Sequence, residues 1–256
     1  MTRWTFGAAS VRGISHVKNG TRLQDAKRCF EVLDDNGASI FCAVVSDGAG
    51  SASHGGEGAS VVCRTMAEAL RSHFADGSTD MPSEDRVWDW VDQVRDRIIH
   101  AASLRSLPPR DFAATMVLGI TDGTRTVTAH VGDGAIVARS AVDQGWLLLS
   151  ESENGEYAST TYFVTDSGTP RLRFAEHDVP IEAIFLFSDG IENQVLDSVT
   201  NEPYENFFDP MVRPFLSSTS LGRDHFLSGR LSAYLDSEKF AEHTDDDKTL
   251  VIAVRR

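Results

Sequence analysis

Short apolar runs, separated by glycine and polar turn residues, recur along the 256-residue chain and predict β-strands. Residues 4–14 alternate loosely between apolar and polar positions and predict an opening strand. Residues 15–23 are polar and predict a loop. Residues 28–33 and 39–45 predict two further strands, and the turn at 34–37 predicts that they pair as a tight hairpin.

The spacing of apolar residues becomes helical in two later stretches. Residues 57–74 carry apolar side chains three or four positions apart, which predicts an amphipathic helix with one buried face. A second stripe follows Ser83, a residue type that often caps helices, and includes Val87, Val91 and Ile98. We expect the two helices to form a layer packed on a sheet.

The second half of the chain returns to strand patterns. Four short runs with turn residues between them predict an antiparallel meander, and further strand-like and helical segments follow it. Residues 151–170 are polar and predict an excursion over the surface. No repeat or linker interrupts the pattern, so we predict a single domain over residues 1–256. The meander comprises residues 114–121, 126–131, 135–140 and 145–150, and it is followed by strand character at 171–187, partial helix at 205–240 and a last strand at 250–254.

The composition is that of a globular domain with a sizeable core, at 41% hydrophobic and 24% charged residues. The net charge of −14 argues against a nucleic-acid-binding protein, because phosphate neutralisation needs an excess of lysine and arginine. No apolar run has the length of a membrane span or of a signal-peptide core. Cys29, Cys42 and Cys63 are widely spaced, and we expect them to be reduced and structural, as in a cytoplasmic protein.

Acidic residues stand at the ends of several predicted strands. The sequence Ser-Asp-Gly follows an apolar run twice, which places Asp47 and Asp189 at the tips of buried strands. Asp25 lies as far before the hairpin turn as Asp47 lies after it, and Asp246 comes just before the last strand. Because the start of one antiparallel strand and the end of its neighbour share an edge, these four carboxylates can converge. Converging carboxylates repel one another unless cations neutralise them, and oxygen ligands favour Mg²⁺ or Mn²⁺.

Each acid taken singly also has an ordinary structural explanation. Asp25 could cap a strand or helix, Asp133 between two glycines could form a hairpin turn, and residues 245–247 could be a solvated run of charge. The metal interpretation is favoured for the set, because the topology brings the strand ends together. Two ions held in this way can clamp a phosphate and share a hydroxide nucleophile.

Taken in order, these motifs resemble those of the metal-dependent serine/threonine protein phosphatases of type 2C, specifically the compact bacterial branch. No single motif is specific, but six in the right order and spacing are strongly specific. The resemblance implies an α+β fold, a four-layer αββα sandwich of two antiparallel β-sheets flanked by antiparallel helix pairs. The matching segments are Gln24-Asp25-Ala26, Ser46-Asp47-Gly48-Ala49-Gly50, Ala114-Thr115, Val131-Gly132-Asp133-Gly134, Ser188-Asp189-Gly190 and Asp246-Asp247-Lys248-Thr249.

The resemblance also implies a two-metal centre that holds Mn²⁺ or Mg²⁺. In that family the acid matching Asp47 bridges both ions, and the backbone carbonyl matching Gly48 binds one of them. The acids matching Asp189 and Asp246 complete the other ion's ligands. A metal-bound hydroxide then attacks phosphorus in line, and no phosphoenzyme forms.

Two further acids and one segment receive roles from the same resemblance. The acid at Asp25 acts mostly through water, and with Asp47 and Asp189 it belongs to the set that activates the attacking water. Asp133 lies at the margin of the centre, where some members hold a third, weaker metal. The polar segment 151–170 lies where the family carries a variable flap beside its substrate groove.

The chain departs from the family at the phosphate grip. An arginine often stands five residues before the acid matching Asp25, and here that position is Gly20. Arg22, His16 and Lys18 are the nearby cations that could take over, and we take Arg22 as the candidate phosphate-binding residue.

A second departure concerns the proton donor to the leaving group. Some members have a histidine two residues after the acid matching Asp47, and here that position is Ala49. His16 is the candidate donor, His54 in the glycine-rich loop is an alternative, and a metal-bound water could also donate. Many bacterial members lack that histidine, so its absence does not indicate an inactive protein.

The function that follows is metal-dependent hydrolysis of phosphoserine and phosphothreonine on proteins, in bacterial signalling opposite a serine/threonine kinase. We expect a monomeric cytoplasmic enzyme with no membrane or nucleic-acid partner. The alternative is a catalytically weak or inactive phosphoprotein-binding module of the same fold, which the missing arginine motivates. The retained metal acids favour the enzyme over that module, and a metal-dependent nuclease fits the carboxylates but not the acidic charge.

Overall fold

Two β-sheets stack face to face in the computed structural model, and an apolar layer fills the space between them. Trp4 and Phe41 belong to this layer, with ring centroids 5.6 Å apart, and both are almost completely buried. Alternate residues of each strand enter the layer because side chains of a strand point to opposite faces. The structure describes residues 3–34, 36–75, 80–153, 161–197 and 199–256.

The strands follow the apolar runs of the sequence closely. The hairpin prediction is confirmed, because the second and third strands pair antiparallel from Ala26 opposite Ser46 to Leu33 opposite Ser39. The described strands are β1 (Trp4–Val11), β2 (Ala26–Leu33), β3 (Ser39–Ser46), β4 (Met116–Thr121), β5 (Thr126–Val131), β6 (Ala135–Ser140), β7 (Trp146–Ser150), β8 (Arg173–His177), β9 (Ile181–Phe187), β10 (Gly222–Arg223) and β11 (Lys248–Arg255).

The first sheet has the strand order β10-β1-β11-β9-β6-β7, and the second has the order β2-β3-β4-β5-β8. Neighbouring strands are antiparallel except for β10, a two-residue strand that pairs parallel to β1. The first sheet is therefore mixed at its edge. The central strands β3 and β9 are buried along nearly their whole length, as their continuous apolar sequences predict.

Helices cover both outer faces of the sheet pair, and the predicted four-layer αββα sandwich is confirmed. The two predicted long helices form the layer on the five-stranded sheet, and Ser83 caps the second of them by accepting a hydrogen bond from Arg86 N. Four shorter helices form the layer on the six-stranded sheet. The helices are α1 (Ile14–Asn19), α2 (Gly55–Ala75), α3 (Glu84–Ser103), α4 (Asp189–Val195), α5 (Glu205–Ser217), α6 (His225–Leu235) and α7 (Glu238–Ala241), with a 3₁₀ turn at Pro109–Phe112.

The predicted four-stranded meander is wrong. Strands β4 and β5 pair in one sheet, whereas β6 and β7 pair in the other. The segment 132–134 therefore carries the chain from one sheet to its partner instead of closing a hairpin. Strands β8 and β9 likewise lie in different sheets, so the predicted run at 171–187 is interrupted. A sequence pattern marks the turn but does not specify the sheet to which the next strand belongs.

Two smaller regions also differ from or extend the sequence prediction. The opening strand ends at Val11, and the predicted loop over 15–23 contains the short helix α1. The predicted surface segment 151–170 falls partly on residues 154–160, which lie outside the described residues, as does Asp35 in the hairpin turn.

The three cysteines are thiols, as predicted. Cys29, Cys42 and Cys63 are all free, and the last two are fully buried. Burial raises the pKa of Cys29 to about 11, which keeps this thiol protonated and unreactive near neutrality. In the described part of the chain, no helix has the length and apolar character that a bilayer span requires.

A candidate metal centre

Asp25 and Asp47 are brought together by the β2–β3 hairpin. Asp25 precedes β2 and Asp47 follows β3, and the pairing of Ala26 with Ser46 sets the two acids side by side. Because the register of the hairpin is continuous over all of β2, this juxtaposition is fixed by the strand pairing.

Asp189 and Asp246 reach the same end of the sandwich from the other sheet. Asp189 opens α4 directly after β9, and Asp246 comes shortly before β11, the strand that pairs with β9. Ser188 connects the two sheets, because its hydroxyl donates to Asp25 Oδ2 at 2.8 Å and accepts from Thr249 N at 3.0 Å. The strand-end acids therefore lie at one end of the sandwich, as predicted.

The carboxylates form one compact cluster. Oxygen atoms of Asp47, Asp133 and Asp189 all lie within 4.8 Å of one another. Asp25 Oδ1 and Asp133 Oδ1 are buried without a hydrogen-bond partner among the described residues. None of the described lysines or arginines forms an ion pair with the cluster. Such a set of buried oxygens, without a cation to balance it, is suited to bind divalent metal ions.

The electrostatics of the cluster lead to the same conclusion. Burial raises the pKa of Asp25 to about 6. Burial, and then the charges of Asp25 and Asp189, raise the pKa of Asp47 well above its ordinary value. Burial, and then the charges of Asp133 and Asp246, raise the pKa of Asp189 in the same way. The metal-free protein therefore favours protonated carboxyls at this site, and a bound cation would favour the ionised forms.

The backbone around Asp47 is held from two sides. Asp47 N donates to Thr115 Oγ1 at 3.0 Å, and Thr115 N donates to the Asp47 carbonyl at 2.8 Å. A Cβ atom on Gly48 would lie 2.2 Å from the Gly55 carbonyl carbon, so only glycine allows α2 to approach this closely. No described N–H group donates to the Gly48 carbonyl. That oxygen is therefore available to a ligand.

The acidic run at 245–247 is solvated only at its first residue, and burial increases from Asp245 to Asp247. Asp247 is almost fully buried, and its carboxylate accepts from Gly13 N at 2.7 Å and from Gln24 N at 2.6 Å. His16 Nδ1 lies 2.9 Å from the same carboxylate. Asp246 Oδ1 accepts from Asp247 N at 2.8 Å, which fixes the preceding acid as well. Asp247 thus ties together the segments that carry His16, Asp25 and Asp246.

Asp133 lies on the connection between the sheets, supported by a buried histidine. His130 Nε2 lies 3.0 Å from the Asp133 carbonyl, and His130 Nδ1 lies 2.8 Å from Ser150 Oγ. Burial, and then the charge of Arg173, lower the pKa of His130 to about 3, so this imidazole is neutral. Thr161 donates to Asp133 Oδ2 at 2.7 Å. Because β5 and β6 belong to different sheets, Asp133 does not form a hairpin turn, and that structural explanation is wrong.

Glu192 is an additional acid at the site that the sequence motifs did not indicate. It lies one turn after Asp189 on α4 and is half-buried. Its carboxylate accepts from Ser152 Oγ at 2.6 Å and from Gly134 N at 3.3 Å. Burial, and then the charge of Asp133, raise its pKa. The only sequence signal was its spacing, because residues three apart share a helix face.

Arg22 and His54 lie beside the cluster on the α2 side. Both line a cavity of about 490 Å³, together with Gln24 and the first residues of α2. Arg22 is exposed and has no carboxylate partner among the described residues. His54 stacks on Phe112 and is held through Ser53 Oγ, 2.9 Å from His54 Nδ1. The predicted phosphate-binding arginine is therefore free to meet an anion.

The four-layer sandwich, with buried carboxylates gathered at one end of its two sheets, is the arrangement expected of a metal-dependent protein phosphatase. Sequence comparison agrees, because the family model described as Protein phosphatase 2C matches residues 12–236. The chain belongs to the protein phosphatase 2C family.

Individual relatives extend over the whole chain. It is 31% identical to Serine/threonine-protein phosphatase 3 of Escherichia coli (strain K12) over 252 residues, which cover 98% of each protein. Among solved structures, PppA of Pseudomonas aeruginosa matches with a TM-score of 0.64 at 18% identity, covering 100% of both chains. The catalytic domain of the phosphatase PstP, solved with two manganese ions, matches with a TM-score of 0.64 at 15% identity, covering 100% of this chain and 99% of that one.

Proposed function

We propose that this protein removes phosphate from phosphoserine and phosphothreonine residues of proteins at a centre that holds two Mn²⁺ or Mg²⁺ ions. The observation that carries the proposal is the cluster in which oxygens of Asp47, Asp133 and Asp189 lie within 4.8 Å of one another without a neutralising side chain. Membership of the phosphatase 2C family supports the same reaction. The metal acids of the motif set are all retained, so a binding module without activity is not favoured.

Asp47, Asp189, Asp246 and the Gly48 carbonyl are the groups that would hold the two ions. All of these donors are hard oxygens, which suits Mn²⁺ and Mg²⁺. When bound, such ions withdraw charge from phosphoryl oxygens and make a water molecule acidic enough to act as a nucleophile. Asp47, which follows the strand paired with β2 and lies within 4.8 Å of Asp189, would contribute to holding both ions.

The other acids complete the surroundings of the site. Asp25, which accepts from Ser188, would act through a water molecule instead of binding metal directly. Asp133 would contribute to a third, weaker metal position at the margin, with Glu192 close enough for its pKa to respond to the Asp133 charge. The hydrogen bonds of Glu192 to Ser152 and Gly134 fix the connection on which Asp133 stands.

Arg22 is the proposed phosphate grip. Charge-assisted hydrogen bonds contribute about 1.5–3 kcal/mol, so we expect Arg22→Ala to lower kcat/KM about 10- to 100-fold, mainly through KM. Arg22→Lys keeps the charge but not the planar fork and should recover only part of the loss. Steady-state kinetics on a phosphothreonine peptide measure this. Unchanged KM values in both variants would exclude Arg22 from phosphate binding.

His16, whose Nδ1 lies 2.9 Å from the Asp247 carboxylate, is the proposed proton donor to the leaving group. General acid catalysis contributes about 10²-fold or more, so His16→Gln should lower kcat on phosphoserine peptides by about that factor. Turnover of p-nitrophenyl phosphate should change far less, because p-nitrophenolate leaves without a proton. Equal losses on both substrates would assign His16 a structural role only.

We further propose that the protein acts as a cytoplasmic monomer opposite a bacterial serine/threonine kinase. The free, buried thiols of Cys42 and Cys63 are consistent with a reducing compartment. Size-exclusion chromatography with light scattering would test the monomer, and a dimer mass would overturn it. Fractionation of cells that express a tagged chain would test the cytoplasmic location. Recovery of the protein from an extracytoplasmic fraction would contradict it.

The experiment that tests the reaction is turnover of a phosphothreonine peptide and of p-nitrophenyl phosphate after removal of metal with a chelator. We expect no turnover without metal and recovery on addition of Mn²⁺ or Mg²⁺. Equal turnover with and without divalent ions would contradict the proposed function. Binding of the phosphopeptide without any turnover in Mn²⁺ would support the binding module instead.

A further inference from the structure

A groove crosses the helical layer on the six-stranded sheet, outside the carboxylate cluster. It consists of two adjoining cavities of about 640 and 330 Å³ that share Gln194, Phe207 and Tyr234. We call the larger cavity the outer lobe, where Asp197, Glu202 and Glu205 also lie. The smaller cavity is the inner lobe, where Lys239 and His243 also lie.

The floor of the groove is aromatic and rigidly supported. Phe207 packs edge to face on Phe208 of the core, with ring centroids 5.2 Å apart. Tyr234 packs edge to face on Phe240 at 5.4 Å and remains 41% exposed. Tyr204 at the rim is 42% exposed. Concentrated, partly exposed aromatic surface in a concave site is typical of protein-interaction surfaces.

Gln194 has an unused hydrogen-bond donor at the junction of the two lobes. Its Nε2 atom is buried and has no acceptor among the described residues. Leaving a buried N–H group unpaired is unfavourable, and rotation of the Gln194 side chain, which lines both lobes, would turn this group toward a peptide carbonyl in the groove. This donor therefore favours a bound main chain over a purely apolar ligand.

The two lobes carry opposite charge. The outer lobe contains three carboxylates, and no lysine or arginine is among its described lining residues. Backbone N–H groups of Val199 and Thr200 hold the Asp197 carboxylate in place, each at 2.9 Å. The inner lobe instead contains the cation Lys239 and the imidazole of His243. An occupant with basic side chains in the outer lobe is electrostatically complementary to it.

The groove leads away from the proposed catalytic centre in a defined direction. Helix α4 begins at Asp189 in the carboxylate cluster, and Gln194 lies five residues on, or about 8 Å along the axis at roughly 1.5 Å per residue. His243 of the inner lobe is three residues before Asp246. Because a chain spans at most about 3.6 Å per residue, His243 of the inner lobe lies within about 11 Å of Asp246. An extended chain covers that distance in about three residues.

We propose that this groove docks the substrate protein through an extended segment that carries lysine or arginine side chains, about three to six residues from the phosphorylated residue. The proposal rests on the proposed function, because it assumes that the phosphorylated residue lies at the carboxylate cluster. The basic side chains pair with the carboxylates of the outer lobe and stack on its tyrosines. A main-chain carbonyl of the segment accepts a hydrogen bond from Gln194 Nε2.

The test compares two phosphothreonine peptides that differ only in a pair of residues within that interval, Arg-Arg or Glu-Glu. We expect the wild-type protein to have a KM about 5- to 10-fold lower for the basic peptide. Glu202→Gln with Glu205→Gln should remove this preference. Asp92→Asn with Asp96→Asn, which changes two exposed acids of α3 and gives the same net charge, should keep it. Turnover of p-nitrophenyl phosphate should be equal in all three proteins.

A second measurement does not depend on turnover. The affinities of fluorescent, unphosphorylated forms of both peptides, measured by anisotropy, should show the same preference and the same loss. Gln194→Leu should weaken both peptides about 3- to 10-fold, because the lost N–H serves the main chain. Equal affinity of the wild-type protein for both peptides, or equal loss in the two double variants, would overturn the docking proposal. Failure of metal-dependent turnover alone would instead contradict the proposed reaction.

Discussion

Asp47→Asn is expected to abolish phosphatase activity and to stabilise the metal-free protein. Loss of a bridging carboxylate removes several kcal/mol of transition-state stabilisation, so kcat/KM should fall about 10³-fold or more. In the absence of metal, burial, and then the charges of Asp25 and Asp189, raise the pKa of Asp47. Asparagine is neutral at every pH, so this replacement removes the free-energy cost of protonating or burying a charged acid at this position. The two effects therefore have opposite signs.

A loss of activity together with a gain in metal-free stability distinguishes a metal ligand from a residue needed only for folding. The melting temperature in chelator should rise in Asp47→Asn, and the further rise that Mn²⁺ produces in the wild-type protein should be small or absent. Asp92→Asn on the exposed face of α3 serves as the control and should change neither quantity. A variant that lost activity together with stability in chelator would indicate misfolding, and the assignment of Asp47 would have to be withdrawn.

The stability of the metal-free protein is expected to increase as the pH falls from about 7.5 to about 5.5. Asp25 has a folded-state pKa of about 6, above its ordinary value of 3.8. The folded state therefore binds more protons than the unfolded state between these values, and stability increases as pH decreases through this window. Asp25 alone should contribute about 1 kcal/mol, or about 2–4 °C in a chain of this size. Buried His130, whose pKa is lowered to about 3, acts in the opposite direction, because only the unfolded state takes up its proton in this pH range. The raised pKa values of Asp47 and Asp189 act in the same direction as Asp25, and we expect the three acids together to outweigh His130.

Manganese should reverse this trend. A saturating ion at about 100 times its Kd stabilises the folded state by about 2.7 kcal/mol, which corresponds to about 5–10 °C at this chain length. The gain should be larger at about pH 7.5 than at about pH 5.5, because protons compete with the metal for the carboxylates. Differential scanning calorimetry at both pH values, with chelator and with Mn²⁺, measures all four melting temperatures. A metal-free protein that is less stable at the lower pH would contradict the account.

Local patterns identified much of the cluster because its main acids stand at strand ends. Asp47 and Asp189 each follow a continuous apolar run, and such runs form the buried strands β3 and β9. The hairpin register then placed Asp25 beside Asp47 without further information. These inferences succeeded because strand pairing between neighbours in sequence is a local property.

Other features depended on contacts that no local pattern contains. The role of Asp247 comes from hydrogen bonds to Gly13 and Gln24, which lie more than two hundred positions away. Glu192 lacks a motif because its partners belong to other strands and loops. The predicted meander failed at Asp133, since the flanking glycines serve a crossing between sheets as well as they would serve a hairpin. Tertiary topology, rather than propensity, decides such cases.

The most direct test of the central claim is an anomalous diffraction map from a crystal of this protein grown with Mn²⁺. We expect two manganese peaks about 3.5–4 Å apart, with the Asp47 carboxylate bridging them and the Gly48 carbonyl on one ion. Asp189 and Asp246 should bind the other ion. Manganese found away from these residues, or a single ion that Asp47 does not contact, would contradict the proposed two-metal centre.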